Sequence, residues 1–200
     1  ENHEDIVGGS KRDLGMATAL YVARVIHFDI AQADAALWSW WTSLSVVDYK
    51  DGLIYLDNGN SGLTGAGDPN SELLQKDGFI RDSKLLWTLG NYSRFVRPGM
   101  VRFDVRLAND IPVREQAINL MLTGYKTADA KEMVFVIVNY SGDNKTLSFD
   151  AFADEYRVKD QKFVSYTTSD TQDLERGQMP TDQVLVPSKS VVTLVASIDL

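Results

Sequence analysis

Between Leu85 and Val105 the apolar residues change their spacing, and a Pro-Gly pair sits at the change. Leu85, Leu86, Leu89, Tyr92, Phe95 and Val96 recur at steps of three and four, which gathers them on one side of a helix. Pro98 has no amide hydrogen and its ring clashes with the preceding turn, so the helix is expected to stop near Val96. Beyond Gly99, Val101, Phe103, Val105 and Leu107 alternate with Arg102, Asp104, Arg106 and Ala108, the period of a strand with one buried face. The junction therefore separates two kinds of structure. On periodicity alone it is equally met by a helix followed by a strand in any α+β protein.

The 200 residues exceed the usual single domain of about 100 to 150, so one large domain or two small ones are allowed. A hydrophobic fraction of 44% with four tryptophans is enough for a core, and the chain reads as globular. Against 20 Lys and Arg stand 28 Asp and Glu, a formal charge of −8 with no basic run to offset it. Such a surface repels phosphate backbones and anionic lipid, so neither nucleic acid nor a membrane is expected as a partner. Cysteine is absent, which excludes disulfides and thiolate metal sites. His3 and His27 are the only histidines, which excludes a His-rich metal site and leaves two candidates for the base of a Ser-His-Asp arrangement. No metal and no cofactor is expected. His27 lies in the helical run VARVIHFDI and reads as a packed or capping residue rather than a base. No stretch approaches the roughly 20 apolar residues of a membrane span. The start Glu-Asn-His-Glu-Asp, without an initiator Met or a visible signal peptide, suggests a processed or excised piece.

Along the chain, Glu1 to Lys11 is polar and reads as a loop. Asp13 can cap a helix whose apolar residues Leu14, Ala17, Leu20, Tyr21, Ala23 and Val25 continue to about Ile30. Ala35 to Val47, AALWSWWTSLSVV, is too apolar for a surface strand and predicts one covered on both faces, as in parallel sheets and barrels. Asp48 to Ser83 is a long Gly-, Asn- and Asp-rich connection with an apolar island at Leu53 to Leu56, which suggests a lid or binding loop. The first half thus follows the grammar of a β/α repeat. After Pro98 the pattern predicts strands at Met100 to Ala108, Ala117 to Thr127, Met133 to Tyr140, Thr146 to Phe149, Tyr156 to Lys159, Lys162 to Tyr166, Val184 to Val186 and Val191 to Ile198, an antiparallel sandwich. One buried strand and two helices cannot complete a parallel sheet, so the first half is expected to belong to something larger.

Three segments together, ALYVARVIHFDI, ALWSWWTSLS with the following DGLIY, and KLLWTLGNYSRFVRPGMVRFDV, resemble glycoside hydrolase family 30, retaining enzymes that include glucosylceramidases, xylanases and endo-β-1,6-galactanases or glucanases. The closing PSKSVVTLVAS is similar to the last strand of that family's sandwich. The resemblance implies an α+β fragment: the last β/α units of a (β/α)8 barrel at residues 1–97, followed by an all-β antiparallel sandwich at residues 98–200. Leu14 to Ile30 would be the helix after barrel strand seven, Ala35 to Leu44 strand eight, and Lys84 to Val96 the last barrel helix. It implies no cofactor. The family works with two glutamates, after strand four and at the end of strand seven, and retaining chemistry needs two carboxyl groups about 5 Å apart. This chain would begin just after the second, so no catalytic residue is assigned. Glu1 and Glu4 have no apolar strand before them to hold a carboxylate rigidly.

Trp38, Trp40 and Trp41 of the expected strand eight are the candidates for substrate contact, since a flat indole matches the apolar face of a sugar ring. The resemblance implies a tryptophan near the mouth of strand eight in the sugar site, and Trp41 aligns best with it. Strand parity puts Trp38 and Trp40 on the opposite face from Trp41, where they would pack in a core. Tyr49, Tyr55, Asp57 and Asn58 of the following loop could contact distal sugars or be solvated decoration. Tyr92, Arg94 and Arg97 read as structural, with Arg94 or Arg97 tying the two halves together through a carboxylate such as Asp104. Asn91, Asn139 and Asn144 each begin a glycosylation triplet, a weak pattern.

The functional expectation is the C-terminal part of a retaining β-glycoside hydrolase, inactive by itself, acting with the upstream barrel segment of the same protein on a β-linked glycan. Extracellular or periplasmic location would follow from polysaccharide substrates. The alternative is a non-catalytic carbohydrate-binding or purely structural sandwich; its weakness is that no tryptophan falls after Met100.

Overall fold

The computed structural model describes residues 12–47, 49–57, 79–108, 111–149, 152 and 156–198. In chain order they form helix α1 (Met16–Ala31), strands β1 (Leu44–Ser45), β2 (Ile54–Asp57) and β3 (Phe79–Asp82), helix α2 (Lys84–Ser93), strand β4 (Val101–Phe103) and the short helix α3 (Val113–Gln116). Strands β5 (Leu120–Lys126), β6 (Glu132–Asn139), β7 (Lys145–Leu147), β8 (Lys162–Ser169), β9 (Gln172–Pro180), β10 (Val184–Val186) and β11 (Ser190–Ser197) follow. The architecture is mixed α and β, with few helices and a mostly antiparallel sheet region. Six strands pair in the order β4-β5-β6-β11-β8-β9, all antiparallel; β10 and β7 make a separate ribbon; β1, β2 and β3 make a small sheet in which β1 and β2 run parallel.

The middle of the six-stranded sheet is covered on both faces, and β6 shows why its sequence is apolar without alternation. Val134, Val136 and Val138 share a cluster with Met16, Leu20, Val22, Ile26, Leu85 and Tyr92 of the two helices. Met133, Phe135 and Ile137 face the opposite way, toward Val184 and Val186 of the β10–β7 ribbon and Phe149, Phe163, Val192 and Leu194. A strand dry on both sides needs apolar residues at every position. Phe135 anchors the second cluster, its ring edge-to-face with Phe103, Phe149, Phe152 and Phe163 at centroid distances of 4.9 to 6.0 Å. Gly124, opposite Phe135 in the ladder, has no room for a side chain: a Cβ there would sit 2.5 Å from Val105 Cγ2 and 2.7 Å from Phe103 Cζ.

Asp13 starts α1 from just ahead of it, accepting hydrogen bonds from the amides of Gly15 (2.9 Å) and Thr18 (2.7 Å). Ser83 caps α2, its hydroxyl accepting from the Leu86 amide and donating to the Leu53 carbonyl at 2.9 Å. The α-helix ends at Ser93, and one further turn carries the chain to Val96, whose amide reaches the Tyr92 carbonyl at 2.8 Å. The Met100 amide then bonds the Arg97 carbonyl at 3.0 Å, with Gly99 at φ +92°. Proline second and glycine third, at positive φ, is the signature of a type II turn. Asn91 joins α2 to the sheet: its Nδ2 donates to the Tyr166 carbonyl and to Thr193 Oγ1, both at 3.0 Å, and its Oδ1 accepts from Thr168 Oγ1 at 2.6 Å.

Four expectations need correction. Of Met100 to Ala108 only Val101–Phe103 is laddered; Val105 and Leu107 still pack on the second core cluster. Tyr156 to Lys159 is not a strand, because Arg157 takes φ +50° and leads into a 3-10 turn at Lys159–Gln161, leaving a lone bridge from Val158 to Ile198. Strand β9 had no apolar alternation to reveal it; as an edge strand it is mostly exposed and its pairing with β8 comes from the backbone. Asp104 pairs with Arg102 (3.3 Å), which also holds Asp34 beyond the end of α1 (2.6 Å). Arg94 instead lies over the rings of Phe95 and Tyr166, and Arg97 donates to the Ser93 carbonyl.

Candidate functional site

The aromatic segment after α1 departs most from its expected form. Ala35 to Val47 is not a strand covered on both faces: only Leu44–Ser45 qualifies as strand, and Leu37 is 81% and Trp41 83% exposed. What holds the segment is one-sided pairing. The Thr42 amide donates to the Asp51 carbonyl, and the amides of Leu53 and Ile54 donate to the carbonyls of Thr42 and Ser43, all at 3.0 to 3.1 Å. Burial on both faces would need a partner on the other edge, which the described residues do not supply.

The three tryptophans divide by face. Trp38 and Trp40 stack at 5.8 Å with an interplanar angle of 11° and pack against the helix cluster. Trp38 Nε1 donates to Asp29 Oδ2 at 3.0 Å, and Trp40 Nε1 to the Asp51 carbonyl at 2.7 Å. With ring and N–H both engaged, these two are fixed supports. Trp41, whose peptide bond to Thr42 is cis, leaves its indole in solvent. Tyr49 is 49% exposed in the turn that follows.

That turn is built on Tyr55, which is fully buried and so cannot touch a sugar. Its hydroxyl donates to the Tyr49 carbonyl at 2.6 Å and accepts from the Gly52 amide at 3.0 Å, while the Arg12 guanidinium lies over the ring at 4.7 Å. Burial pushes its pKa up to about 12, so the phenol keeps its proton and remains a donor. A Cβ on Gly52 would fall 2.7 Å from that ring and 2.9 Å from Ser45 Cβ, so glycine is what lets the turn lie on Tyr55. Sequence reasoning passed over Arg12, Gly52 and Tyr55 as supports; the Asp51-Gly52 pair was the available signal, as a turn dipeptide. Asn58, Glu1 and Glu4 lie outside the described residues, as does the side chain of Asp57.

Of the other candidates, His27 is 2% exposed and burial lowers its pKa to about 4, which makes it a packed neutral imidazole. Tyr92 is buried and reaches the Ala23 carbonyl. Asn91 and Asn139 are fully buried and engaged, so neither offers an acceptor for glycosylation; Asn144 is exposed. Among the described residues no group of three or more His, Asp or Glu could hold a metal, and no described helix is long and apolar enough to cross a membrane.

Trp41 thus carries an exposed indole on a backbone held at Thr42, in a segment whose Trp38 and Trp40 are locked by packing and hydrogen bonds. Residues 1–55, which include the three tryptophans, match the sequence profile of O-glycosyl hydrolase family 30. The chain is related to glycoside hydrolase family 30. A conserved exported protein from Bacteroides fragilis is 36% identical over 90% of this chain, with a TM-score of 0.73. Two family 30 xylanases, from Clostridium papyrosolvens C71 and Clostridium acetobutylicum, are each 15% identical over 94% of the chain, with TM-scores of 0.57 and 0.51, and share its fold. The chain spans 33%, 42% and 41% of the length of these three proteins.

Proposed function

We propose that this chain is the C-terminal part of a retaining β-glycoside hydrolase of family 30, with residues 1–97 a remnant of the (β/α)8 barrel and residues 98–200 a side sandwich. In this reading the segment that ends in Leu44–Ser45 holds the place of barrel strand eight, and an upstream barrel segment of the same protein pairs with its open edge. The glutamates that attack the anomeric carbon and protonate the leaving oxygen lie on that segment, so the 200 residues alone do not turn over a β-linked glycan. Trp41 forms one wall of the sugar site, with Tyr49 at its rim, and Trp38 and Trp40 hold Trp41 in place. A polysaccharide substrate puts the protein outside the cytoplasm, in keeping with the exported Bacteroides fragilis relative. Neither nucleic acid nor a membrane is a partner.

The observation that carries this reading is the contrast between Trp41, 83% exposed, and its two neighbours, whose rings and N–H groups are all engaged. The experiment is Trp41→Ala and Trp41→Phe in a protein extended upstream to complete the barrel. Loss of an aromatic platform should raise KM or lower kcat/KM on β-glycosides by about 10- to 100-fold, with Phe restoring part of it. Unchanged kinetics in both variants would remove Trp41 from the site. A carbohydrate-binding strip on the sheet is disfavoured: the exposed large apolar residues described after Met100 are Val101, Val113, Ile118 and Leu185, none aromatic.

A further inference from the structure

A cavity of about 460 Å³ opens between the C-terminal end of α1, β4 with its continuation, α3 and β5. That volume falls within the roughly 300 to 1,000 Å³ of small-molecule sites. Its floor includes His27, 2% exposed, whose Nδ1 has no hydrogen-bond partner among the described residues. A buried polar atom left unpaired on the wall of a cavity is a place where a ligand hydroxyl gains a hydrogen bond at no cost to an existing one.

The lining sets the chemistry. Charge is cancelled: Arg102 spends one guanidinium nitrogen on Asp34 and another on Asp104. The rest of the lining short of Arg106 is uncharged, with the exposed Gln32, the half-buried Gln116 and the buried Thr123 supplying amide and hydroxyl groups beside Phe103, Val105 and Leu122; Gln116 Nε2 also donates to the Ile111 carbonyl at 2.6 Å and Thr123 Oγ1 to the Val136 carbonyl at 3.5 Å. Arg106 stands at the exposed margin. Alternating neutral polar groups and apolar patches match a ligand that alternates hydroxyls with C–H faces. We propose that this cavity is a second, non-catalytic binding site for a neutral mono- or disaccharide, with His27, Gln32, Gln116 and Thr123 as its polar contacts. It stands independently of the glycosidase reading, because it uses none of the aromatic platform.

The test is a titration of the 200-residue chain with cellobiose and xylobiose, followed by amide NMR shifts and calorimetry. The account predicts saturable binding with Kd of about 1 mM or tighter, and shifts centred on Gln32, Gln116 and Thr123. Ala31→Phe, which fills the cavity from α1, and Gln32→Ala, on an exposed position that cannot unfold the chain, should each weaken binding about tenfold or more. Leu185→Ala, on an exposed position outside the cavity lining, should leave it unchanged. Absence of saturable binding overturns the proposal. So does binding that Ala31→Phe and Gln32→Ala leave intact, or binding abolished by Trp41→Ala, which would place the sugar on the strand-eight platform instead.

Discussion

Replacing Asn91 by Ala should be among the most damaging single changes outside the apolar core. The side chain is fully buried and makes three hydrogen bonds to β8 and β11, through the Tyr166 carbonyl, Thr193 Oγ1 and Thr168 Oγ1. Thr193 Oγ1 keeps a partner after the substitution, because it also donates to the Asn91 backbone carbonyl at 2.7 Å. Thr168 Oγ1 keeps none among the described residues, and it is buried. Three bonds at about 1 kcal/mol each, with about 1 kcal/mol more for the orphaned hydroxyl, give a loss of about 4 kcal/mol. For a chain of this size that lowers Tm by roughly 8 to 16 °C. Urea unfolding of the wild type, Asn91→Ala, Thr168→Val and the double variant measures it, with equal m-values as the control. The double variant should recover about 3 kcal/mol relative to the sum of the singles, because the shared bond is then lost only once and neither partner is left orphaned. A loss below about 1 kcal/mol for Asn91→Ala, or strict additivity, would refute the view that this node fastens α2 to the sheet.

Other outcomes follow from the same structure. Folding holds the His27 pKa at about 4 against 6.5 in an unfolded chain, so the unfolded state binds the extra proton between those values. Stability from this group is complete above about pH 6.5 and falls by about 3 kcal/mol as pH drops toward 4; His27→Phe should flatten that part of a stability-versus-pH curve. Gly124→Ala forces a methyl into Val105 and Phe103 and should cost about 1 to 3 kcal/mol in denaturant unfolding. Trp40→Ala should destabilise the chain by about 2 kcal/mol or more while Trp41→Ala stays within about 0.5, a comparison that thermal melts of the two variants decide.

How far the sequence could be read depended on whether a segment's environment lies within the chain. Helix α1 and the Leu85 to Val96 stretch were legible because their apolar faces meet the sheet and each other here, and β6 because dryness on both faces leaves only apolar residues possible. Strand β9 was hidden, since an edge strand can be polar throughout and still pair through its backbone. Ala35 to Val47 misled in the opposite direction: its composition fits burial on both sides, while its described neighbours cover one. At the site, parity puts Trp41 on the opposite face from Trp38 and Trp40, and their burial divides the same way. The supports beneath Tyr49 were not readable, because Tyr55 and Gly52 act through a close approach that no local pattern encodes.

The most direct test of the central claim compares initial rates on aryl β-glycosides for the 200-residue chain and for a protein carrying roughly two hundred further residues upstream. The account predicts turnover with retention of anomeric configuration by the longer protein and none above background by the chain, even at high enzyme concentration. Hydrolysis by the chain alone, abolished by substituting one of its own carboxylates, would contradict it.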